Sequence, residues 1–572
     1  MMSRCLPPEP VLMIQPTGSG KSTVPLTCAV IPAGVTIIVE NTLALSSDQT
    51  SKLPSLINGN VKPVKTYQLD VFKSPSELSR LYNAIIKHLN KDVSTSIICF
   101  TSPETLVNSI TVQFVKELLA SDKLNLFCID EVHLFIEFGI SFRPVFQTVK
   151  DKIVSLFHNK DESMKVPLLL MTATFDTNMY QLIQRMLGIK IHSYNVFWAE
   201  ANQFQKRHIS IKMKYSHQIF KHSIDAISAK CTNRDDNKSI IIASTAAKAT
   251  EIRNKLDTWL DMKSDIEGDT VLVVGNQETE TKFAYTTEFT NTQFGSNGIK
   301  YSDTKLCPRF LLGTPGCIGA GLDCSYVDLV CRVGLPTSII HFIQEMGRCR
   351  RCINNANDNV FTIIFHLNDY VYLIERMYII ETEGNDTTTI NNNKNDLMTK
   401  EEERKYYTNN LNKLLRLMLC EYGCWHANLE ILSSNPFTSF SQSQFIPPCG
   451  HNCPHCDHTR SQFIKRVNKS GLQSFLASTL MSSHEKNYSP TRLVKALLDY
   501  PLVGRVIYGR NSSIKVEKAS NAAITILQLL CCDILYLHVE EAKNPKSICV
   551  LSRTDHQPHY LLDKYWEHIN HF

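Results

Sequence analysis

A long apolar run is missing from this chain. No stretch of the 572 residues approaches the roughly 18 consecutive apolar positions that a membrane-spanning helix needs. The first residues, MMSRCLPPEPVL, also lack the apolar segment of a secretory signal. A large excess of one charge is absent too, since 60 basic and 55 acidic residues leave a net charge of +5, which is compatible with a polyanionic partner without demonstrating one. We expect an intracellular protein without a membrane segment.

Wholesale disorder is excluded by the composition. Hydrophobic residues make up 43% of the chain and charged residues 20%, the balance of an ordinary globular protein. The length allows about three or four domains. Nineteen cysteines in a chain without a secretory signal indicate reduced thiols, so a cluster of them predicts a metal site rather than a disulfide framework.

A phosphate-binding loop follows the apolar run Val11–Ile14. The segment reads QPTGSGKST, and a strand that leads into a Gly-rich turn and then Lys-Ser is typical of P-loop nucleotide sites. Backbone N–H groups of such a turn point at the phosphates, Lys21 reaches the β- and γ-phosphates, and the Ser22 hydroxyl binds Mg²⁺. The predicted nucleotide-binding residues of the loop are Thr17, Gly18, Ser19, Gly20, Lys21, Ser22 and Thr23.

A second, acidic motif reads IDEVH and follows another apolar run, at Ile129–His133. Asp130 supplies a carboxylate for the metal, and Glu131 is placed to activate water. Because the two motifs occur in this order and each follows a strand-like run, they predict hydrolysis of ATP with Mg²⁺ as cofactor. The alternative is a Gly-rich turn near an acidic surface pair.

Short apolar runs alternate with helical stretches twice along the chain, which predicts two α/β units with parallel sheets. The first unit spans residues 1–200 and the second spans residues 201–380. The strand candidates of the first unit are Val35–Val39, Ser96–Phe100, Leu126–Ile129 and Leu168–Met171. Those of the second unit are Ser239–Ala243, Val271–Val274, Phe310–Leu312 and Val327–Val330.

The remainder of the chain divides by composition into three segments. Residues 381–410 are polar with few apolar side chains, which predicts a linker or an insertion that buries no face. Residues 411–460 are rich in cysteine, with a helix expected from Leu411. Residues 461–572 are small and mixed, with a helical run at Ala519–Ile534 between strand-like flanks.

Further motifs follow in the order shown by superfamily 2 helicases. They are VENTLALSSDQ from Val39, TSPETL from Thr101 and MTATF from Met171. The stretch IDEVHLFIEFGISFRP, with its aromatic loop and final Phe-Arg-Pro, resembles the RecQ family in particular. This resemblance implies two RecA-like lobes with ATP in the cleft between them. It also implies 3′-to-5′ DNA helicase activity in DNA repair or recombination, in the nucleus if the source is eukaryotic.

The same resemblance implies which residues contact DNA. Phe138 and Phe142 would be rings on which bases stack, and Arg143 would contact a phosphate or the nucleotide. Phe138 stands where the family usually has Trp, and Ile140 where it usually has His, and both changes would weaken the coupling of DNA binding to hydrolysis. The alternative is that these aromatic side chains fill a core. The predicted DNA contacts are Asp48, Gln49, Phe138, Phe142, Arg143 and Thr314.

In the second unit, LLGTPGCIGAGLDCSYVDLV and IQEMGRCRR resemble the family's fifth and sixth motifs. The first of them is one residue longer than the family pattern. In the second, Gln344 and Arg348 match directly, and Arg351 matches the arginine finger that neutralises charge on the transferred phosphoryl group. Arg350 replaces a family glycine, so the question of which adjacent arginine, Arg350 or Arg351, reaches the phosphate stays open. An Arg-rich helix end that binds an acidic surface is the alternative.

The family's adenine-recognising segment, which carries a glutamine, has no counterpart before the phosphate loop, since only Met1–Pro10 precede Val11. We expect an incomplete N-terminus, with relaxed base selectivity as the alternative. A comparison of ATP with GTP turnover distinguishes the two.

A cysteine cluster predicts a zinc site late in residues 411–460. The segment CGHNCPHCD places Cys449, Cys453 and Cys456 at spacings that let a short knuckle wrap one tetrahedral Zn²⁺ ion. Cys424, at the end of the helix from Leu411, would complete the set, as in the RecQ zinc-binding subdomain that this segment resembles. The rival ligands are Cys420, His451 and His455.

The last segment, 461–572, is interpreted as a winged-helix module that grips duplex DNA, as many relatives carry. The expected partners are therefore single-stranded DNA and fork or overhang duplexes. Two alternatives stay open: a helicase-derived DNA-binding scaffold that no longer unwinds, and an RNA-directed helicase of the same superfamily.

Overall fold

The chain folds around two separate parallel β-sheets, each the centre of one lobe, in the computed structural model. The structure describes residues 8–15, 20–30, 33–40, 64–71, 74–92, 95–137, 145–158, 164–173, 175, 177–198, 209–216, 218–231, 238–263, 268–275, 277–291, 293–295, 298–300, 308–318, 327–349, 359–383, 400–419, 424–432, 449, 452–454, 456, 495, 522–528, 530, 535–539 and 548–552.

Lobe 1 contains a seven-stranded sheet in which every neighbouring pair is parallel. Its strands are β1 (Val11–Ile14), β2 (Gly34–Val39), β3 (Val64–Gln68), β4 (Ser96–Thr101), β5 (Leu124–Ile129), β6 (Leu168–Thr172) and β7 (Val196–Trp198). The strand order is β3-β4-β2-β5-β6-β1-β7. Since β1 and β5 flank β6, the segments that leave their carboxyl ends meet at one edge of the sheet, where parallel α/β sheets bind ligands.

Lobe 2 contains a six-stranded sheet, again entirely parallel. Its strands are β8 (Ser210–Tyr215), β9 (Lys238–Ala243), β10 (Asp269–Val273), β13 (Pro308–Gly313), β14 (Val327–Val333) and β15 (Val360–Phe365), in the order β10-β13-β9-β14-β15-β8. Two antiparallel hairpins are formed by β11 (Gln293–Gly295) with β12 (Gly298–Lys300) and by β16 (Leu535–Val539) with β17 (Ile548–Ser552).

The helices cover the sheets, and several begin at side-chain caps. Ser74 accepts the N–H of Glu77 while Glu77 accepts that of Ser74, a capping box that starts α2. The helices of lobe 1 are α1 (Thr23–Val30), α2 (Pro75–Lys91), α3 (Pro103–Leu106), α4 (Ser109–Ala120), α5 (Leu134–Glu137), α6 (Val145–Lys152) and α7 (Thr177–Leu187). The later helices are α8 (Ile219–Cys231), α9 (Ala246–Asp261), α10 (Thr279–Asn291), α11 (Pro315–Ile318), α12 (Ile339–Met346), α13 (Leu367–Glu383), α14 (Lys400–Leu419) and α15 (Trp425–Leu432). Short 3₁₀ turns lie at Leu69–Val71, Val154–Phe157 and Ser193–Asn195.

The central strands are buried on both faces, as their continuous apolar sequences require. Every residue of β2, β4, β9 and β14 is buried. The eight predicted strands all form, within three residues of the expected ends, so the prediction of two parallel α/β lobes is confirmed. None of the helices among the described residues is long and apolar enough to cross a membrane.

The prediction of a linker over residues 381–410 needs correction at its C-terminal end. Helix α14 begins at Lys400 rather than at Leu411. Tyr406, within the predicted linker, packs against the apolar core of lobe 1. The polar composition of the surrounding residues predicted no buried face, but the ring of Tyr406 provides one. In the last segment, residues 522–528 are helical and buried against the lobe 2 core.

Candidate active site

The phosphate-loop segment leads from β1 into α1. Gly20 has a φ of +86°, a backbone conformation that favours glycine, and its carbonyl accepts the Thr23 N–H at 2.9 Å. Lys21 and Ser22 therefore lie immediately before α1, and Lys21 is buried. The predicted loop residues outside the described part of the chain are Thr17, Gly18 and Ser19.

Lys21 joins the two predicted carboxylates. Its Nζ lies 2.8 Å from Glu131 Oε1 and 3.2 Å from Asp130 Oδ1. Burial alone would lower the pKa of Lys21, but the two carboxylates outweigh it and raise this pKa above its ordinary value. Burial likewise opposes ionisation of Glu131, yet Lys21 and His133 lower the pKa of Glu131 below its usual range. At Asp130 burial dominates and raises the pKa. The structure thus brings together the three residues on which the predicted hydrolysis depends.

Glu131 lies in a tight turn after β5. Its φ of +50° is in the left-handed region, which costs a non-glycine residue about 1–2 kcal/mol. Neighbouring strands hold the turn, because the Asp130 N–H donates to Val39 O at 3.0 Å and the Val132 N–H donates to Met171 O at 2.9 Å. The Asp130 carboxylate also accepts the Glu131 N–H at 2.8 Å. The direction of the Glu131 side chain is therefore set by bonds to β2 and β6.

His133 extends this turn into a hydrogen-bonded relay. Its Nδ1 lies 2.9 Å from Thr172 Oγ1 and 3.3 Å from Glu131 Oε2, and its Nε2 lies 2.7 Å from Gln344 Nε2. An amide nitrogen only donates, so Nε2 accepts and the ring carries its proton on Nδ1, which faces Thr172 and Glu131. Because Gln344 belongs to lobe 2, the relay crosses between the lobes and ends at the carboxylate predicted to activate water.

Helix α12, which carries Gln344, is positioned from both lobes. Ser338 caps its N-terminus by accepting the His341 N–H at 3.2 Å. Ile340 packs into the lobe 1 core, while Phe342 and Ile343 pack into the lobe 2 core. The helix therefore forms part of the contact between the lobes.

A buried ion pair anchors α12 to the lobe 2 sheet. Arg332 of β14 donates from Nη1 to Glu345 Oε1 at 3.0 Å, and both side chains are at most 3% exposed. Its other donors reach Leu335 O at 2.7 Å and Gly334 O at 3.3 Å. Burial raises the pKa of Glu345, and the attraction of Arg332 acts against this increase. A buried charge pair of this kind fixes the orientation of the helix on the strand.

Two further predicted residues lie in lobe 2. Arg348 is half-buried just after α12, and its N–H donates to Glu345 O at 3.1 Å. Thr314 follows β13, and its carbonyl accepts the N–H groups of Cys317 and Ile318 at 3.0 Å each. The predicted residues that lie outside the described part of the chain are Asp48, Gln49, Phe138, Phe142, Arg143 and Arg351.

Sequence reasoning missed His133 and Arg332 as members of this site. His133 ends the IDEVH motif, so its position two residues after the carboxylate pair was an available signal. Arg332 is a charge inside the apolar strand VDLVCRV, which requires a buried partner. Nothing in the sequence identified that partner as Glu345.

The four predicted cysteines form one cluster. The Sγ atoms of Cys424, Cys449, Cys453 and Cys456 all lie within 4.8 Å of one another. Four sulfurs bound to one zinc ion at about 2.3 Å lie roughly 3.8 Å apart, so this set fits a tetrahedral zinc ion after a small contraction. The Cys449 N–H donates to Cys424 Sγ at 3.3 Å, and the Cys456 N–H donates to Cys453 Sγ at 3.5 Å. Such bonds favour the thiolate forms that a metal requires.

Cys424 lies at the start of α15, which corrects its expected place at the end of the helix from Leu411. Helix α14 ends at Leu419, and the next described helix begins at Trp425, directly after Cys424. Hydrogen bonds from the Cys449 and Cys453 thiols lower the pKa of Cys424. Trp425 is fully buried and lies edge-on to Phe342 of α12, with 6.3 Å between the ring centroids. The cysteine cluster is thus packed against the same helix that carries Gln344.

Comparisons with known proteins find similar sequences among helicases. The DEAD/DEAH box helicase family matches residues 1–182. The chain is 26% identical over 360 residues to ATP-dependent DNA helicase Q-like 5 of Arabidopsis thaliana, covering 59% of this chain and 32% of that protein. It is 23% identical over 387 residues to RecQ-like DNA helicase BLM of Xenopus laevis, covering 68% of this chain and 25% of that protein. The chain is similar in sequence to RecQ-like DNA helicases, and its first lobe matches the DEAD/DEAH box helicase family.

The chain also resembles ATP-dependent DNA helicase RecQ of a Synechocystis strain, with 26% identity over 205 residues, 36% of this chain and 39% of that protein. It therefore spans between about a quarter and two fifths of the length of these three relatives. Among solved structures, MrfA helicase bound to DNA and AMPPNP superposes with a TM-score of 0.45 at 14% identity, over 65% of this chain and 48% of that one. The assignment of the fold rests on the sheet topology.

Proposed function

We propose that this chain is a RecQ-family, ATP-dependent DNA helicase that moves 3′-to-5′ on single-stranded DNA and unwinds duplex DNA. The observation that carries the proposal is the relay from Gln344 of lobe 2 through His133 to Glu131 of lobe 1. It connects the relative position of the lobes to the carboxylate that would activate water. A motor requires such a connection, because hydrolysis must change the arrangement of the two lobes that grip the track.

The residues of lobe 1 suit magnesium-bound ATP. Lys21 now neutralises Asp130 and Glu131, and the same ammonium would move to the β- and γ-phosphates, leaving Asp130 and Ser22 to hold the ion. Bound Mg²⁺ supplies charge neutralisation for the phosphoryl group that is transferred. The lowered pKa keeps Glu131 ionised at neutral pH but weakens it as a base. Departure of Lys21 to the phosphates would remove the largest cause of that lowering and leave Glu131 better able to accept a proton from water. His133 would hold Glu131 in position through Nδ1.

Lobe 2 completes the site. The hydrogen bond of Gln344 with His133 couples the position of α12 to the turn that carries Glu131. Arg348 follows α12 on the same segment, and Arg351 is the proposed arginine finger. Thr314 lies after β13 on the proposed DNA-contacting motif. DNA as the track is supported by the names of the relatives, which are DNA helicases.

The cysteine cluster is proposed to hold a structural zinc ion. Cys424, Cys449, Cys453 and Cys456 would be its ligands, since the four sulfurs already converge. Zinc in such a knuckle contributes on the order of 10 kcal/mol to local folding. The hairpin of β16 and β17 and the preceding helical residues 522–528 are compatible with the proposed winged-helix module.

Strand displacement on forked DNA tests the proposal. The wild-type chain should unwind a duplex with a 3′ overhang but not one with a 5′ overhang, and DNA should stimulate its ATPase activity more than RNA. Lys21→Ala should abolish DNA-stimulated ATPase activity. Lys165→Ala, which removes an exposed lysine of the same lobe, is the matched control and should retain full activity.

Other outcomes point to the rival functions. DNA binding and ATP hydrolysis without displacement would indicate a helicase-derived scaffold. Stronger stimulation by RNA would indicate an RNA-directed enzyme. Full ATPase activity in Lys21→Ala would reject the proposed nucleotide site.

A further inference from the structure

Helix α14 belongs to both lobes. In its C-terminal half, Leu411 and Leu414 are fully buried in the lobe 2 core, and Asn412 accepts a hydrogen bond from the hydroxyl of Tyr370 at 3.0 Å. In its N-terminal half, Tyr406 packs against the lobe 1 core. One rigid element therefore joins the lobes outside the nucleotide site.

Tyr407 forms a specific bond in this second contact. Its hydroxyl donates to the carbonyl oxygen of Ile136 at 2.8 Å. The Ile136 N–H in turn donates to the carbonyl oxygen of His133 at 3.0 Å. His133 is therefore held twice, by its ring through Gln344 of α12 and by its backbone through Tyr407 of α14. Both bonds act on the turn that carries Glu131.

The two contacts move as one unit, because α12 and α14 pack against each other. Phe342 and Met346 of α12 share the lobe 2 core with Leu414 and Leu415 of α14. An ion pair, Arg185 with Glu402 at 3.7 Å, also links α14 to lobe 1. Its side chains are 41% and 50% exposed, so solvent screens it and it contributes little. The hydrogen bond of the half-buried Tyr407 hydroxyl therefore constrains α14 on lobe 1 more strongly than this ion pair does.

We propose that Tyr407 is a positioning residue of the ATPase centre. By holding the Ile136 carbonyl, it keeps the Glu131–His133 turn in register with α12. The segment beyond lobe 2 thereby controls how well Glu131 is placed for hydrolysis. This inference rests on the proposed ATPase function and adds a control point that lies outside the helicase motifs.

Tyr407→Phe removes only the hydroxyl and tests the inference directly. We expect the DNA-stimulated kcat to fall about fivefold, the effect of losing one hydrogen bond, while KM for ATP stays within about twofold because the phosphate loop is untouched. Tyr180→Phe is the matched control: the Tyr180 hydroxyl also donates to a backbone carbonyl, that of Ile191, but entirely within lobe 1. It should leave kcat unchanged. Combining Tyr407→Phe with Gln344→Ala should reduce kcat by less than the product of the single effects, because both bonds hold His133.

Hydrogen exchange supplies a readout that does not depend on activity. The amides of residues 132–137 should exchange faster in Tyr407→Phe than in the wild type or in Tyr180→Phe. Unchanged exchange, or an unchanged kcat in Tyr407→Phe, would overturn the positioning role. If the wild-type chain hydrolyses no ATP, the proposed function fails, and the exchange measurement alone then decides whether Tyr407 holds the turn.

Discussion

Removing Arg332 should destabilise lobe 2 strongly, because it leaves Glu345 as an unpaired buried charge. The two side chains are 2% and 3% exposed, and one oxygen of Glu345 already lacks a hydrogen bond. Breaking a buried pair from one side typically costs about 3–5 kcal/mol. Arg332→Met also takes donors from the carbonyls of Gly334 and Leu335, so we expect a loss near the upper end of this range.

The loss should depend on pH, with a sign that follows from the pKa of Glu345. Burial raises the pKa of Glu345 in the folded state above the value of 4.5 that an exposed glutamate has. The folded state therefore binds this proton more tightly than the unfolded state does. The resulting contribution to the free energy of unfolding is fully present below pH 4.5 and is lost as the pH rises through the folded-state pKa. Arg332 lowers the pKa, so its removal raises it further. Arg332→Met should therefore cost more stability at about pH 8 than at about pH 5.

Local hydrogen exchange in β14 and β15 is the suitable assay, because a chain with two lobes does not unfold in one step. The double variant Arg332→Met with Glu345→Leu removes the charge along with its partner. It should recover about 2 kcal/mol relative to Arg332→Met, with the carbonyls of Gly334 and Leu335 accounting for the remainder. A cost under about 1 kcal/mol for Arg332→Met, or an equal cost for the double variant, would refute the reasoning.

Two further predictions concern the cysteine cluster and a glycine. Cys453→Ser should abolish stoichiometric zinc binding, measured by elemental analysis of the purified chain, whereas replacing the buried Cys99, which lies in β4, by Ser should leave the zinc content unchanged. Gly34→Ala should lower the melting temperature of lobe 1, because Gly34 has a φ of +133° and an added Cβ would lie 2.7 Å from Lys123 O. Gly316→Ala, where a Cβ meets open space in lobe 2, should not lower the melting temperature of that lobe.

The fold was largely predictable because parallel strands buried on both faces leave a strong signal in the sequence. Runs such as Ser96–Phe100 are continuous, apolar and β-branched, and all the predicted strands of this type formed. The signal was weaker at the sheet edges, although β15, which is buried along its whole length, also went unpredicted. The edge strands β3 and β7 have few buried residues and went unpredicted, and α14 began within a segment that composition marked as a linker.

The candidate site was predictable where one motif holds the chemistry and unpredictable where chain segments meet. Lys21, Asp130 and Glu131 converge because β1 and β5 flank β6, and the four cysteines converge as expected. The contacts of Gln344 with His133 and of Arg332 with Glu345 depend on how helices dock onto strands. That docking is a property of tertiary packing, which periodicity and spacing do not encode.

The left-handed backbone of Glu131 has a consequence for engineering. At φ +50° a glycine or an asparagine has a lower conformational free energy than a glutamate. Selection for thermostability alone would therefore replace Glu131 by one of these residues. Such a variant should melt later and turn over no nucleotide. Thermal stability and catalysis are therefore opposed at this one position.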